Sequence, residues 1–203
     1  MQGKTLLARN ILIGLLALGL SGCAAVVVGG AATGASVAHD RRTAETVLED
    51  NTIYLKANDL RNNDADLRQK ASIDIDVFNH QVLLTGQAQN REVIERFRQR
   101  VAAIDGVRAV FDEVTLGAEP TISDATSDSY LTSRVKIALF NVKIDGFDPT
   151  RVMVVSSLGS VYLMGLLTPT EANAVVEEVR FVSGGKRVVK LFEYLNESHK
   201  RNH

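Results

Sequence analysis

An internal repeat is the feature of this sequence that most restricts its fold. Two copies of the pattern V-x-L-x-G end at Gly86 and Gly165, which lie 79 residues apart. The same offset relates four further pairs, namely Glu92 and Glu171, Phe97 and Val176, Gly106 and Gly185, and Val110 and Val189. A constant offset over such a length indicates a duplicated unit. Each copy is long enough to bury a modest core, so the 203-residue chain is predicted to form two small domains.

Both copies predict the element order α-β-β-α-β. In the first copy Asp50 is expected to cap a helix, and residues 72–77 alternate between apolar and polar side chains as a half-buried strand does. A turn at Asn79-His80 leads into the returning strand, and Asn90 is expected to cap the next helix. We therefore expect an α+β fold in which the helices of each copy pack on one face of a small three-stranded mixed sheet.

The second copy repeats this order with clearer helix signals. Its first helix is expected over residues 128–140, and its strands near 151–156, 160–165 and 186–195. Residues 168–171 read Thr-Pro-Thr-Glu, a capping box with proline at the first helical position. This run marks the start of the second helix.

The two predicted sheets differ on the face that points away from their helices. The first copy places Asp74, Asp76, Leu83 and Thr85 on that face, whereas the second places Met153, Val155, Tyr162 and Met164 there. An apolar outer face on a small sheet needs a cover. The second sheet is therefore expected to pack against the first copy or against another chain.

The N-terminus has the features of a bacterial lipoprotein precursor. Lys4 and Arg9 precede the apolar run 11–20, which predicts a signal peptide over residues 1–22. The following Leu-Ser-Gly-Cys sequence resembles a lipobox, and Cys23 is the only cysteine in the chain. Cys23 is thus the predicted lipidation site; the alternative is a buried, inert cysteine after an ordinary signal peptide. Ala24 in place of aspartate resembles enterobacterial lipoproteins delivered to the outer membrane, which implies a lipid-anchored protein at its periplasmic face.

Composition shifts set the remaining boundaries. Residues 23–42 are predicted to be a lipidated apolar tether, which is flexible or lies against the membrane interface or a partner protein. The first domain is expected over residues 43–117, a linker over 118–124, the second domain over 125–195, and a polar tail over 196–203.

The sequence contains no pattern typical of catalysis or of cofactor binding. His39, His80, His199 and His203 are scattered without metal-ligand spacing, and no glycine pair matches a phosphate-binding loop. The net charge of −1 does not favour nucleic acid as a partner. The chain is therefore predicted to be neither an enzyme nor a cofactor-binding or metal-binding protein.

The first helix of the second copy carries the most informative surface. Leu131, Val135, Ala138 and Leu139 form its expected core stripe. A second stripe contains Tyr130, Ser133, Arg134, Ile137 and Asn141, with Lys136 beside it. An aromatic and an aliphatic side chain next to basic groups suit contact with an anionic membrane surface. The alternative is that the interdomain linker or the first copy covers Tyr130 and Ile137.

The repeated unit of about 70 residues, with V-x-L-x-G before the long helix, resembles the BON domain. Two such units behind a lipobox are similar to dual-BON outer-membrane lipoproteins. The resemblance implies a periplasmic lipoprotein that binds anionic phospholipid and supports outer-membrane integrity, with some members gathering at the division site. Together with the second stripe of the helix in the second copy, it predicts that phospholipid is bound through the second domain. Two alternatives stay open. One is a scaffold for envelope-assembly or peptidoglycan-remodelling proteins, and the other is a membrane-disrupting factor, although no pore is encoded.

Overall fold

The two repeats form two α+β domains in a computed structural model that describes residues 40–195. The signal peptide, Cys23, the segment Ala24–Ala38, His39 and residues 196–203 lie outside the described residues. The predictions made for those parts of the sequence therefore have no structural counterpart here.

The first domain contains a four-stranded mixed sheet and three helices. Its elements are α1 (Ala44–Asn62), α2 (Ala65–Lys70), β1 (Ala71–Phe78), β2 (Gln81–Ala88), α3 (Arg91–Ala102), β3 (Ala109–Asp112) and β4 (Thr115–Leu116). Strand β2 pairs antiparallel with β1 and parallel with both β3 and the short β4. The expected closing strand is thus split in two, and α2 is an addition to the expected order.

The second domain has a three-stranded sheet of the same topology. Its elements are α4 (Ile122–Leu139), a 3₁₀ turn (Pro149–Arg151), β5 (Met153–Ser157), β6 (Ser160–Leu167), α5 (Pro169–Val179) and β7 (Arg187–Tyr194). Strand β6 pairs antiparallel with β5 and parallel with β7. The predicted α+β architecture of two tandem units is confirmed. Helix α4 begins earlier than expected, so its first turn occupies part of the segment 118–124 that the sequence assigns to a linker.

Asp50 does not cap a helix, because α1 begins almost two turns earlier with Thr43 as its N-cap. Asp50 is instead buried, and its carboxylate accepts hydrogen bonds from the backbone N–H groups of Asn79 and His80, both at 2.7 Å. Asn79 and His80 have positive φ angles of 50° and 64°, which fits the tight two-residue turn of a hairpin. The carboxylate therefore fastens α1 to the hairpin turn.

The second domain contains the same device. Asp128, inside α4, accepts hydrogen bonds from the backbone N–H groups of Leu158 at 2.7 Å and Gly159 at 2.8 Å. Thr121 caps this helix in a capping box with Asp124. A helix carboxylate that holds the hairpin turn is thus a shared feature of the two repeats.

The offset between the repeats changes by one residue after the strand pair. The connection from β6 to α5 is one residue shorter than that from β2 to α3, so the N-caps Asn90 and Thr168 are 78 residues apart, as are the starts of β3 and β7. Phe97 thus corresponds to the buried Val175 rather than to Val176. Gly106, with φ of 92°, therefore corresponds to Gly184, with φ of 102°, rather than to Gly185. Val110 likewise corresponds to Val188, because both pack against the core of their own domain.

Each domain has its own core, and a third apolar cluster joins the domains. Phe78 and Leu83 of the first sheet meet Tyr162 and Met164 of the second, and all four are buried. The outer faces of the two sheets therefore pack against each other. The second sheet was expected to pack against the first copy or against another chain, and in the structure it packs against the first domain.

Ion pairs flank this apolar contact. Arg187 of β7 lies 2.6 Å from the carboxylate of Glu113 and donates to the Tyr162 hydroxyl at 3.1 Å. Arg108, just before β3, lies 3.1 Å from Glu193 of β7. The charged pairs restrict how the sheets can slide, while the buried side chains supply most of the attraction.

Candidate membrane-binding site

Helix α4 has one buried and one exposed apolar face. Leu131, Val135 and Leu139 are at most 3% exposed and belong to the second core. Tyr130 and Ile137 are 66% and 67% exposed. The linker and the first domain therefore leave both side chains open to solvent, and the alternative that they are covered is wrong.

The spacing of these residues explains why they share a face. Seven residues make almost two turns of an α-helix, so Tyr130 and Ile137 lie on one side. Ser133 lies between them and is also exposed, and its hydroxyl donates to the Ser129 carbonyl at 3.0 Å. Thr126 makes the same kind of bond to the Ile122 carbonyl at 2.9 Å. Hydroxyls that bond back to their own helix are already satisfied, which lowers the cost of moving this face into a less polar medium.

Basic side chains stand on both sides of the exposed face. Successive residues of an α-helix are rotated by 100° about its axis, which places Arg134 on one side of the face formed by Tyr130 and Ile137 and Lys136 on the other. The guanidinium carbon of Arg134 lies 5.8 Å from the centre of the Tyr130 ring. Neither basic group forms an ion pair with another residue in the range 40–195. Their charges are therefore available to an anionic surface.

The last predicted site residue follows the helix. Asn141 is exposed, and its backbone N–H donates to the Ala138 carbonyl at 2.9 Å. Its side chain continues the exposed face past the end of α4. The structure thus brings together all six residues that the sequence assigns to this surface: Tyr130, Ser133, Arg134, Lys136, Ile137 and Asn141.

Two large apolar residues of this surface were missed from the sequence. Ile122 is 87% exposed in the first turn of α4, and Phe140 is 73% exposed at its C-cap. Phe140 and Lys136 also line a groove of about 840 Å³ between the domains. The pattern Thr121-x-x-Asp124 signals the true helix start and could have drawn attention to Ile122.

The corresponding helix of the first domain is less suited to an anionic surface. Leu48 and Leu55 of α1 are exposed, at 68% and 66%. The exposed residues around them include the acidic Glu45, Glu49 and Asp59. Acidic side chains would repel an anionic membrane, so the charge pattern favours α4 over α1.

Comparison with known proteins identifies the family. The model of the BON domain matches residues 56–118 and 127–196. The chain belongs to the BON-domain family and carries two such domains. It is 35% identical over 178 residues to the outer membrane lipoprotein DolP of Haemophilus influenzae, an alignment that covers 87% of this chain and 91% of that protein. This dual-BON protein is accordingly an outer-membrane lipoprotein.

Two further proteins share a smaller part of their sequence with this chain. A 21 kDa hemolysin of Actinobacillus pleuropneumoniae is 30% identical over 157 residues, covering 77% of this chain and 79% of that protein. Among solved structures, the C-terminal domain of CdsD, a structural protein of the type III secretion system of Chlamydia trachomatis, matches with 14% identity and a TM-score of 0.28. That match covers 72% of this chain and 67% of the CdsD chain.

The helices in the described part of the chain are too short or too polar to cross a bilayer. A helix that lies on an anionic membrane surface needs exposed apolar side chains beside basic ones. The exposed face of α4 has the size and chemistry for such a contact.

Proposed function

We propose that this lipoprotein binds anionic phospholipid through the exposed face of α4 in its second BON domain. The observation that carries the proposal is the exposure of Tyr130 and Ile137 between two unpaired basic side chains. The apolar side chains enter the boundary between head groups and acyl chains, while Arg134 and Lys136 meet lipid phosphates.

The anchor and the helix act together in this proposal. Lipidation at Cys23 holds the chain at the outer membrane, and the weak contact made by α4 becomes effective because it is then intramolecular. Burying a tyrosine and an isoleucine stabilises the bound state by a few kcal/mol at most, and each basic residue near an anionic surface adds about 1 kcal/mol. Such a contact is reversible without the anchor.

The biological role that we propose is non-enzymatic. Binding to the inner leaflet of the outer membrane would place the two domains where they support envelope integrity, and at the division site when anionic lipid gathers there. The competing role is a protein scaffold for envelope assembly or peptidoglycan remodelling. In that role the exposed face of α4 would bind a protein, and lipid would not compete for it.

The decisive experiment compares matched charge insertions on equivalent helices. Soluble residues 40–203 should bind phosphatidylglycerol vesicles, and Tyr130→Glu should weaken that binding at least about tenfold. Leu55→Glu is the control, because Leu55 has the same exposed fraction on α1. Equal loss in both variants, or full binding by Tyr130→Glu, would show that α4 is not the lipid site and would favour the scaffold.

The anchor is tested separately. The Cys23→Ala variant should accumulate as an unprocessed precursor that takes up no labelled palmitate. It should be absent from the outer-membrane fraction. Continued labelling would show that acylation occurs elsewhere in the chain.

A further inference from the structure

Asp76 has an unusual position for a carboxylate. It lies on the outer face of β1, where the first sheet meets the second, and it is only partly exposed. It forms neither a hydrogen bond nor an ion pair with another residue in the described part of the chain. Burial, together with the charge of Asp74 two residues away, raises its pKa to about 6. A partly buried carboxylate without a partner destabilises the interface in which it lies.

A second oxygen without a partner lies beside it. Thr85 of β2 is directly opposite Asp74 in the strand pairing and is 1% exposed. Its hydroxyl oxygen is buried and has no hydrogen-bond partner among the described residues. Buried hydroxyls are almost always hydrogen-bonded to protein or to ordered water, so this oxygen is free to accept a contact from a water molecule or an ion in the adjoining space.

These groups line one polar pocket at the junction of the domains. Asp74, Asp76 and Thr85 come from the first domain and Ser156 from the second, and the pocket has a volume of about 320 Å³. The Ser156 hydroxyl accepts a hydrogen bond from Thr132 at 2.8 Å and keeps a lone pair for another contact. The pocket therefore presents two carboxylates and two hydroxyls within one small volume.

One cation already borders the pocket. Arg61 lines it as well, and its guanidinium donates to the Ile73 carbonyl at 2.7 Å. It forms no ion pair with Asp74 or Asp76. The two carboxylates together outweigh its single positive charge, so the pocket keeps a net attraction for a further cation.

We propose that this pocket binds a calcium ion through the carboxylates of Asp74 and Asp76 and the hydroxyls of Thr85 and Ser156. Calcium accepts six to eight oxygen ligands in irregular arrangements, and water can supply the remainder. Magnesium demands near-ideal octahedral geometry and gives up its water reluctantly, so it suits side chains from two domains less well.

The expected affinity is low. No group of three or more histidine, cysteine or acidic residues is placed to hold a metal ion within residues 40–195, so this site has only two charged ligands. Arg61 lowers the affinity further by repulsion. Sites of this kind in proteins outside the cytoplasm have dissociation constants of about 10⁻⁴–10⁻³ M. Because its ligands come from both domains, bound calcium would strengthen the contact between the sheets.

The first test is the thermal stability of the full-length chain in detergent after treatment with a chelator. About 10 mM CaCl₂, compared with NaCl of equal ionic strength, should raise the Tm by about 3–6 °C. Asp76→Asn should abolish this rise. Asp145→Asn, which changes the same charge at an exposed loop position, should keep it. No rise in the unmodified chain, or an equal rise in Asp76→Asn, would overturn the proposal.

The second test locates the ion. Substoichiometric Mn²⁺ should broaden the NMR signals of the backbone amides at Asp74, Asp76, Thr85 and Ser156 before all others, and excess CaCl₂ should restore them. Broadening that begins instead at the acidic surface of α1 would overturn the proposal. Both tests are independent of vesicle binding, so they can fail while α4 still binds lipid.

Discussion

Arg41 reaches from the segment before the first domain to Glu171 in the first turn of α5, in the second domain. Two hydrogen bonds of 2.7 and 2.8 Å join the guanidinium to the carboxylate, and Glu171 is fully buried. Arg41 also donates to the Leu166 carbonyl at 2.9 Å. The next residue, Arg42, bonds instead to Asp50 of the first domain at 2.8 Å. Two consecutive arginines thus attach the segment before α1 to both domains.

Replacing Arg41 should destabilise the second domain strongly. Arg41→Met leaves a buried carboxylate whose nearest remaining cation, Arg151, lies 3.8 Å away, so the free energy of unfolding should fall by about 2–4 kcal/mol. Arg180→Met is the control, because it removes an exposed pair with Glu177 that contributes at most about 1 kcal/mol. Urea unfolding measures both. Equal losses would show that the Arg41 pair contributes no more than a surface contact.

The same pair predicts a loss of stability in acid. Burial alone would raise the pKa of Glu171, but hydrogen bonds from Arg41 and Thr168 outweigh it and hold the pKa below the usual 4.5. A carboxyl whose pKa is lower in the folded state stabilises the protein above pH 4.5 and loses that effect as the pH falls through the folded-state pKa. The advantage of the unmodified chain over Glu171→Gln should therefore shrink between pH 7 and pH 3. A constant difference across this range would contradict the prediction.

The glycines of the repeated V-x-L-x-G pattern should respond unequally to alanine. A Cβ atom at Gly86, where φ is 105°, would lie 2.1 Å from the Ser72 carbonyl oxygen, whereas one at Gly165 would lie 2.8 Å from that of Arg151. Gly146 also has a positive φ, but a Cβ there meets no atom within 4 Å. We expect losses of about 1 kcal/mol at Gly146, more at Gly165, and about 3 kcal/mol or more at Gly86. Thermal unfolding of the three variants checks this order.

The carboxylate that holds each hairpin turn should protect the turn from opening. Asp128→Ala removes the acceptor for the N–H groups of Leu158 and Gly159 and should cost about 1–2 kcal/mol. Hydrogen exchange at those two amides should accelerate more than elsewhere in the domain. Unchanged exchange there would show that the turn is stable without its carboxylate.

Local sequence patterns predicted the elements of this fold, but the long-range polar contacts were beyond them. Periodicity placed Leu131 in the core and Tyr130 on the surface, because both follow from the helical repeat alone. The sequence predicts a helix cap at Asp50, because local patterns do not reveal its true partners in the hairpin turn, 29 and 30 positions away. Arg41 and Glu171 are 130 positions apart, and their pairing depends on how the two domains pack.

The membrane proposal makes a last prediction through charge. If Arg134 meets lipid phosphates, Arg134→Gln should weaken binding to phosphatidylglycerol vesicles about fivefold, which corresponds to about 1 kcal/mol. Added salt should weaken vesicle binding by the unmodified chain more than binding by the variant, because salt screens only charges that are present. Arg180→Gln removes the arginine at the C-cap of α5, which is already paired with Glu177, so it should leave vesicle binding nearly unchanged. Equal salt dependence in both arginine variants would mean that overall charge, and not the position of Arg134 beside Tyr130, determines the attraction.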